Sequence, residues 1–155
     1  TIEAVKRIAE DNHQQVIINP APAQSLPDEL LAGLFLITPN ESEAELLTGI
    51  PVTDLASASR AADYFLNKGV LNVVITMGKQ GAFFKNREMT FMEAAPVVNA
   101  VDATAAGDTF SGALTVAVTE GMDWQEAIRF SVKAASLSVT KMGAQASVPY
   151  RSEIL

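Results

Sequence analysis

The segment Asp102–Phe110 combines residue types that suit the binding of a phosphate or of a developing anion. It precedes an apolar pattern of helical period, so Ala105, Ala106 and Gly107 are expected at a helix N-terminus. The first N–H groups of a helix have no partner inside it, and with the positive end of the helix dipole they favour negative charge. Asp108 would lie in the first turn, where its own charge is stabilised. A purely structural role, in which the two acidic residues of the segment cap the helix, is the alternative.

The composition of the chain limits the chemistry that this segment can take part in. Its 155 residues suffice for one domain with its own core, and 48% hydrophobic with 19% charged residues exclude a disordered chain. Lys and Arg number 11 against 18 Asp and Glu, and the net charge of −7 argues against a nucleic-acid or membrane partner. With no Cys and one His, the chain has no disulfide scaffold, thiol nucleophile or multi-His metal site. The composition fits a cytoplasmic protein.

The first half of the chain alternates helical patterns with short apolar runs. The predicted helices are 2–12, a short one after Pro27, Glu41–Leu47 and 55–68, and the predicted strands are Val16–Ile18, Leu34–Ile37 and Val73–Ile75. Continuous apolar strands between helices are typical of a parallel sheet that is covered on both faces. The pattern therefore predicts an α/β fold.

The second half predicts a hairpin followed by two helices. Ala82–Phe84 and Thr90–Met92 flank a polar turn, as in a β-hairpin. Helices are expected near 107–119 and 124–140, and their small residues would allow close approach. Asp123 and Glu126 have the spacing of an N-terminal cap.

The chain begins directly in a helical pattern, with Thr1 in place of Met and no signal-like segment. Because a domain rarely begins within a helix, we expect a fragment of a longer protein. A cropped terminus of a complete domain is the alternative.

Five motifs occur in an order that resembles the ribokinase family, the phosphofructokinase-B class of carbohydrate kinases. They are Asn19–Ala23, Thr38–Glu43, Thr76–Gly81, Ala105–Phe110 with Asp102 before it, and Gly143–Pro149. Each motif is weak alone, and their order makes the resemblance specific. The resemblance covers nearly the whole chain but only the later half of a family enzyme.

The resemblance implies a ribokinase-like three-layer αβα fold with a mainly parallel sheet. Residues 1–155 would be its C-terminal nucleotide-binding and catalytic portion, and the N-terminal sugar-binding and lid portion would be absent. The implied reaction is the ATP-dependent phosphorylation of a sugar hydroxyl, with D-ribose giving ribose 5-phosphate as the first expectation. The implied partners are ATP, the sugar and, in the parent enzyme, a second copy forming a dimer. The isolated chain would be inactive.

The resemblance also assigns roles to residues of the segment Asp102–Phe110, at the N-terminus of the predicted helix. Asp108 would be the catalytic base that takes the proton of the attacking hydroxyl. Ala105, Ala106 and Gly107 would supply N–H groups to the charge that develops on the γ-phosphate. Because the phosphoryl transition state is loose, positioning and electrostatics matter more than the strength of the base.

Two further motifs would bind the nucleotide and its metal ion. By resemblance, Asn40 and Glu43 would help to hold Mg²⁺ and the phosphates, although Asn-x-x-Glu is also the spacing of a helix cap. Thr76, Gly78 and Gly81 would form a nucleotide loop at the C-terminal end of a strand, where open α/β sheets bind ligands. An ordinary glycine turn is the alternative for this loop.

A second cation is implied by the resemblance, with oxygen ligands that suit K⁺. They would be the Asp102 carboxylate, the carbonyl groups of Thr104 and Gly143, and the Ser147 hydroxyl. Asp102 would therefore bind this cation and would not be a second catalytic base.

The sequence motifs also fit other functions. A non-catalytic nucleotide-binding module would use the same glycine loops, and deoxyribose, other pentose and fructose kinases share the family motifs. A dinucleotide-binding domain is disfavoured, because no Gly-x-Gly-x-x-Gly follows a first strand.

Overall fold

Five short strands form one sheet in the order β1-β2-β3-β4-β5 in the computed structural model, which describes residues 2–154. The strands are β1 (Ile17–Ile18), β2 (Leu36–Ile37), β3 (Asn72–Thr76), β4 (Gly81–Asn86) and β5 (Thr90–Ala94). The first three strands are parallel, as predicted, with Ile17 opposite Leu36 and Leu36 opposite Asn72. Connections of three or four residues join β3 to β4 and β4 to β5, which only antiparallel neighbours allow. The result is a mixed, mostly parallel sheet.

Seven α-helices accompany the sheet within residues 2–154. They are α1 (Ile2–Asp11), α2 (Asp28–Leu31), α3 (Glu41–Thr48), α4 (Leu55–Asn67), α5 (Ala106–Thr119), α6 (Trp124–Ser138) and α7 (Arg151–Ile154). The first six confirm the sequence pattern to within a few residues, whereas α7 was not predicted. None of them is long and apolar enough to cross a bilayer.

The chain divides into two units by its internal contacts. The first unit comprises the chain up to Thr76 together with Phe83–Phe91. The second unit comprises Met77–Ala82 together with the chain from Met92 onward. In the first unit α4 buries its predicted inner side, including Phe65, which is fully buried. In the second unit α5 packs against α6, with Leu114 and Ile128 fully buried.

Three helices of eight or more residues have an N-cap residue whose side chain accepts a hydrogen bond from the first turn of the helix. Asn40 caps α3, Asp54 caps α4 and Asp123 caps α6, and each accepts a hydrogen bond from the N–H of the residue three positions later. Such a cap satisfies N–H groups that the helix itself cannot pair. The N-cap residue of α5, Ala105, makes no such bond.

Gly81 shows why a glycine is required at the start of β4. Its φ is 116°, and a Cβ built on it would lie 2.0 Å from the Glu93 carbonyl oxygen and 2.7 Å from the Ala95 nitrogen. Backbone of the neighbouring strand therefore occupies the space that any side chain would need.

We expect Gly81→Ala to lower the free energy of unfolding by about 3 kcal/mol, because the contact with backbone adds to a conformational strain of about 1–3 kcal/mol. Gly121→Ala is the matched control, since Gly121 has φ 78° and open space around its Cβ position. The control is expected to lose only about 1 kcal/mol. Urea unfolding of both variants measures the difference, and equal losses would contradict the packing argument.

Candidate active site

Two of the predicted motifs meet in the first unit, at the C-terminal ends of β2 and β3. Asn40 and Thr76 form an isolated parallel bridge, and the Thr76 N–H donates to the Pro39 carbonyl at 3.0 Å. Because parallel strands end at the same edge of a sheet, the residues that follow β2 come to lie beside the last residue of β3. The structure thus brings Asn40, Glu43 and Thr76 together, as a common site requires.

Asn40 and Glu43 form a complete capping box at the start of α3. The Glu43 N–H donates to Asn40 Oδ1 at 2.8 Å, and the Asn40 N–H donates to Glu43 Oε2 at 2.8 Å. The capping alternative raised by the sequence is therefore correct as geometry. The box leaves Glu43 Oε1 without a hydrogen-bond partner among residues 2–154, so that one carboxylate oxygen is available to a cation.

The glycine loop of the second unit is a tight turn in which the two glycines differ. The Gln80 N–H donates to the Met77 carbonyl at 2.9 Å in a single 3₁₀ turn over Gly78–Gln80, and the Met77 N–H donates to the Gly81 carbonyl at 2.8 Å. Nothing lies within 4 Å of a Cβ built on Gly78, so its backbone is open to a ligand. Gly81 is instead required by the neighbouring strand.

The N-terminus of α5 carries no side-chain cap. Its N-cap residue is Ala105, and neither acidic residue of the segment fills the capping role that the sequence left open. The Ala106 N–H donates to the Ala103 carbonyl at 3.2 Å, which corrects its prediction as a free donor. The N–H groups of Ala105, Gly107 and Asp108 donate no hydrogen bond within residues 2–154. Three donors therefore remain for an anion, at the positive end of the helix dipole.

Asp108 lies exposed in the first turn of α5, as predicted. Its carboxylate forms no hydrogen bond or ion pair with the described residues, so it is free to accept a proton from a bound hydroxyl. A Cβ built on the preceding Gly107 would meet nothing within 4 Å, which leaves room for a ligand beside the free N–H groups.

Asp102 joins the start of α5 to the loop after α6. Its Oδ1 accepts from the Thr104 hydroxyl and from the Thr104 N–H at 3.0 Å, and its Oδ2 accepts from the Gly143 N–H at 3.0 Å. The bond from the Thr104 hydroxyl, followed by those from the N–H groups of Gly143 and Thr104, holds the pKa of Asp102 below its usual range. Three of the four residues predicted to hold K⁺ are thereby brought together.

Ser147, the fourth residue predicted to bind K⁺, is buried in the same loop. Its hydroxyl donates to the Ala144 carbonyl at 3.0 Å, so the structure shows it in a local contact. Residues 2–154 contain no group of three or more His, Cys, Asp or Glu side chains able to hold a metal ion. Cation sites here would rely on isolated carboxylates, carbonyl groups and hydroxyls.

Sequence reasoning missed a groove in the second unit, which we call the α5–α6 groove. It has a volume of about 440 Å³ and is lined by α5, α6 and the segment 144–154, including Asp108, Thr109, Gly112, Ala113, Val116, Phe130, Val148 and Arg151. The buried hydroxyl oxygen of Thr109 has no hydrogen-bond partner within residues 2–154. Nothing in the sequence signals this, because the pairing of a hydroxyl depends on packing.

The mixed, mostly parallel sheet and its helices form an α/β fold that matches solved ribokinase structures. The chain belongs to the pfkB family of carbohydrate kinases, whose family model matches residues 1–151. The predicted family and fold class are therefore confirmed.

Relatives of this chain include proteins that are named ribokinase. The chain is 48% identical over 154 residues to the ribokinase of Haemophilus influenzae, covering 99% of this chain and 50% of that protein. It is 47% identical over 148 residues to the ribokinase of Staphylococcus aureus, covering 95% of this chain and 49% of that protein. The solved structure of Arabidopsis thaliana ribokinase with ribose and ATP matches with a TM-score of 0.93 and 32% identity, covering 99% of this chain and 50% of that one. The chain spans about half the length of the relatives it matches.

Asn40→Ala is expected to lower the free energy of unfolding by about 1 kcal/mol, the usual cost of losing an N-cap side chain. Asp54→Ala is the control, because Asp54 and Ser57 form a second capping box at the start of α4. Asn40→Asp retains an accepting oxygen and should remain within about 0.5 kcal/mol of the parent chain. Thermal or urea unfolding measures all three. A negligible loss for Asn40→Ala beside a clear loss for Asp54→Ala would show that the α3 box does not stabilise its helix.

We expect Thr104→Ala to raise the pKa of Asp102 towards its usual range, because the variant removes the bond with the largest effect. The depressed folded-state pKa stabilises the protein above the unfolded value of about 4, and this stabilisation is lost as the pH falls through the folded-state value. The stability difference between the parent chain and Asp102→Asn should therefore shrink from about pH 6 to about pH 3. NMR titration of the carboxyl and unfolding at several pH values measure these effects. A pKa unchanged by Thr104→Ala would contradict the assignment.

Proposed function

We propose that this chain is the phosphate-handling part of an ATP-dependent sugar kinase, with D-ribose as the acceptor. The observation that carries the proposal is the open N-terminus of α5, where three N–H groups without a hydrogen-bond partner among residues 2–154 adjoin the exposed carboxylate of Asp108. Such a site combines donors for a transferring phosphoryl group with a base for the attacking hydroxyl. The names of the relatives support a kinase of ribose, and the Arabidopsis thaliana structure contains both ribose and ATP.

In the proposed reaction Asp108 accepts the proton of the sugar hydroxyl while the hydroxyl oxygen bonds to the γ-phosphorus of ATP. The bond from that phosphorus to the bridging oxygen of ADP breaks, and ADP leaves with the electron pair. Because the phosphoryl transition state is loose, the positions of the groups and their electrostatics matter more than the strength of the base. Asp108 also orients the hydroxyl in line with the leaving group.

The N–H groups of Gly107 and Asp108 would bind the charge that develops on the phosphoryl oxygens. They are held in place by the helix before the reaction begins, so no reorganisation is needed when charge develops. Ala105 is the N-cap residue, and its N–H, which donates no hydrogen bond within residues 2–154, would be a third donor to this charge. Ala106 acts through backbone geometry, since its own N–H is paired with Ala103.

The nucleotide would be held by Thr76 and by the open backbone of Gly78, with Gly81 keeping the turn in shape. Asn40 and Glu43 offer oxygen atoms of the kind that Mg²⁺ prefers, and a single carboxylate fits an ion that keeps several waters. When bound, Mg²⁺ would neutralise phosphate charge. Asp102, Thr104, Gly143 and Ser147 offer the oxygen atoms expected for K⁺, and the hydrogen bonds from Thr104 and Gly143 that lower the pKa of Asp102 favour its charged form.

The remaining half of a family-length protein would provide most contacts to the sugar and the closure that excludes water. The isolated chain is therefore expected to turn over no ribose. ATP hydrolysis and ribose phosphorylation by the purified chain test this directly. Robust turnover by the chain alone would overturn the proposal that it is an incomplete enzyme.

The catalytic role of Asp108 is best tested in the chain joined to the half of Haemophilus influenzae ribokinase that it does not match. In this protein Asp108→Asn should lower kcat by about 10²–10⁴-fold, the usual contribution of a general base, with Mg–ATP affinity nearly unchanged. Asp123→Asn is the matched control, because Asn also caps a helix and Asp123 lies at the start of α6.

Two outcomes of this assay decide between a kinase and a binding module. ATP binding without sugar-dependent turnover in the joined protein would favour a non-catalytic nucleotide-binding module. Full activity of Asp108→Asn would exclude Asp108 as the base.

A further inference from the structure

The segment 141–150, which we call the α6–α7 loop, contains Gly143 and Ser147, two of the four residues predicted to bind K⁺. All residues of the loop are exposed except Ser147 and Pro149. Segments with few buried contacts open easily, so packing alone does not hold the loop beside the start of α5. Hydrogen bonds and ion pairs must therefore keep Gly143 next to Asp102.

Glu153 bonds to both ends of the α6–α7 loop. Its Oε1 accepts a hydrogen bond from Lys141 Nζ at 2.9 Å, and its Oε2 accepts one from the Tyr150 N–H at 2.7 Å. The Lys141 ammonium, followed by the Tyr150 N–H, holds the pKa of Glu153 below its usual range, so both contacts favour the charged carboxylate. Because Lys141 and Tyr150 are the first and last residues of the loop, one carboxylate closes the loop at its base.

Helix α7 gives the Glu153 carboxylate a fixed support. The Arg151 guanidinium bonds through both terminal nitrogens to Glu120 at the C-terminal end of α5, with Nη2 2.7 Å from Glu120 Oε2. Such a two-fold pair fixes orientation as well as position. Ile154 is buried, and α7 packs against α6. Glu153 is therefore attached to the two long helices of the second unit.

The loop that Glu153 closes reaches the predicted cation site through Gly143. The Gly143 N–H donates to Asp102 Oδ2 at 3.0 Å, and after the bond from the Thr104 hydroxyl it contributes most to the lowered pKa of Asp102. Ser147 is bonded within the same loop, to the Ala144 carbonyl. A displacement of either end of the loop would therefore move Gly143 and Ser147 relative to Asp102.

We propose that Glu153 is a positioning residue, which holds the α6–α7 loop in the conformation that brings Gly143 and Ser147 to Asp102. This inference rests on the proposed function, in which these residues bind K⁺. Glu153 lies outside the five sequence motifs and acts through Lys141 and Tyr150 rather than on the ion. Without its carboxylate, the apparent affinity for K⁺ would fall in proportion to the fraction of molecules whose loop is in the binding conformation.

The test is an NMR titration of the purified chain with potassium chloride, replacing choline chloride at constant ionic strength, in which the Gly143 amide is followed. Glu153→Ala should raise the K⁺ concentration for half-saturation by about three- to tenfold, because both bonds at the base of the loop are lost. Lys141→Gln retains the bond to Tyr150 and should cause a smaller change in the same direction. Hydrogen exchange of the Gly143 amide should accelerate in both variants.

Glu93→Gln is the matched control for these measurements. Glu93 forms a surface ion pair with Arg129 in the same unit, and neither residue belongs to the α6–α7 loop or to α7. The control should leave the K⁺ titration and the exchange of Gly143 as they are in the parent chain. The Glu153 side chain is 41% exposed, so its variants should unfold within a few degrees of the parent.

A second readout separates positioning from a loss of folding. In the chain joined to the non-matching half of Haemophilus influenzae ribokinase, Glu153→Ala should raise the K⁺ concentration for half-maximal turnover by the same factor. The value of kcat at saturating K⁺ should stay nearly unchanged, because enough K⁺ restores the bound conformation. A residue that only stabilised the fold would lower turnover at every K⁺ concentration.

Unchanged K⁺ titration and Gly143 exchange in Glu153→Ala would overturn the proposal, as would a parent chain whose Gly143 amide does not respond to K⁺. If the joined protein were inactive while Glu153→Ala weakened K⁺ binding by the chain, the positioning role would stand and the kinase proposal would fall. If the joined protein phosphorylated ribose with a K⁺ dependence that Glu153→Ala left unchanged, the reverse would hold.

Discussion

The uncapped N-terminus of α5 is the feature on which the rest of the candidate site depends. The side-chain oxygens of Asn40, Asp54 and Asp123 each accept a hydrogen bond from an N–H group in the first turn of a helix. Each such cap stabilises the folded chain by about 1 kcal/mol. At α5 the N-cap is Ala105, and this contribution is absent. N–H groups in the first turn of α5 are therefore available to an anionic ligand, at the positive end of the helix dipole. In the other three helices the corresponding position is bound by a capping side chain.

Asp102 explains how α5 keeps its position without a cap of its own. Its carboxylate accepts hydrogen bonds from Thr104 on one side and from Gly143 on the other. The helix start is thus held by a contact to the loop after α6 rather than by a bond to its own free N–H groups. One carboxylate fixes the backbone, and Asp108 is left exposed.

The two nucleotide motifs illustrate how one residue serves structure and site together. Asn40 and Glu43 satisfy each other in a capping box, and the bridge to Thr76 places that box at the end of the neighbouring strand. The cap therefore sets the orientation of the Glu43 carboxylate, whose second oxygen faces no partner among the described residues. In the glycine loop the division is clearer, because Gly78 lies in open space and Gly81 fits against backbone.

Much of the fold could be predicted from local pattern. Helix α4 follows from its periodic Ala and Phe residues, and β3 from its β-branched run, because burial of one face or of both faces imposes those periods. The short helix α7 could not be predicted in this way, since four residues carry no period. Contacts with residues distant in the sequence hold it in place, such as the ion pair between Arg151 and Glu120.

The sequence by itself determined the family, the α/β class, the order of the motifs and the position of Asp108 in the first turn of a helix. These depend on residue types and on spacings along the chain, which local geometry converts directly into structure. Only the three-dimensional structure decided that the Ala106 N–H pairs with the Ala103 carbonyl, that backbone near Glu93 excludes a side chain at Gly81, and that the Thr109 hydroxyl has no hydrogen-bond partner among residues 2–154. The first depends on the exact geometry of one turn, and the other two depend on which atoms from other segments of the chain come within a few ångströms, so residue spacing alone does not contain that information.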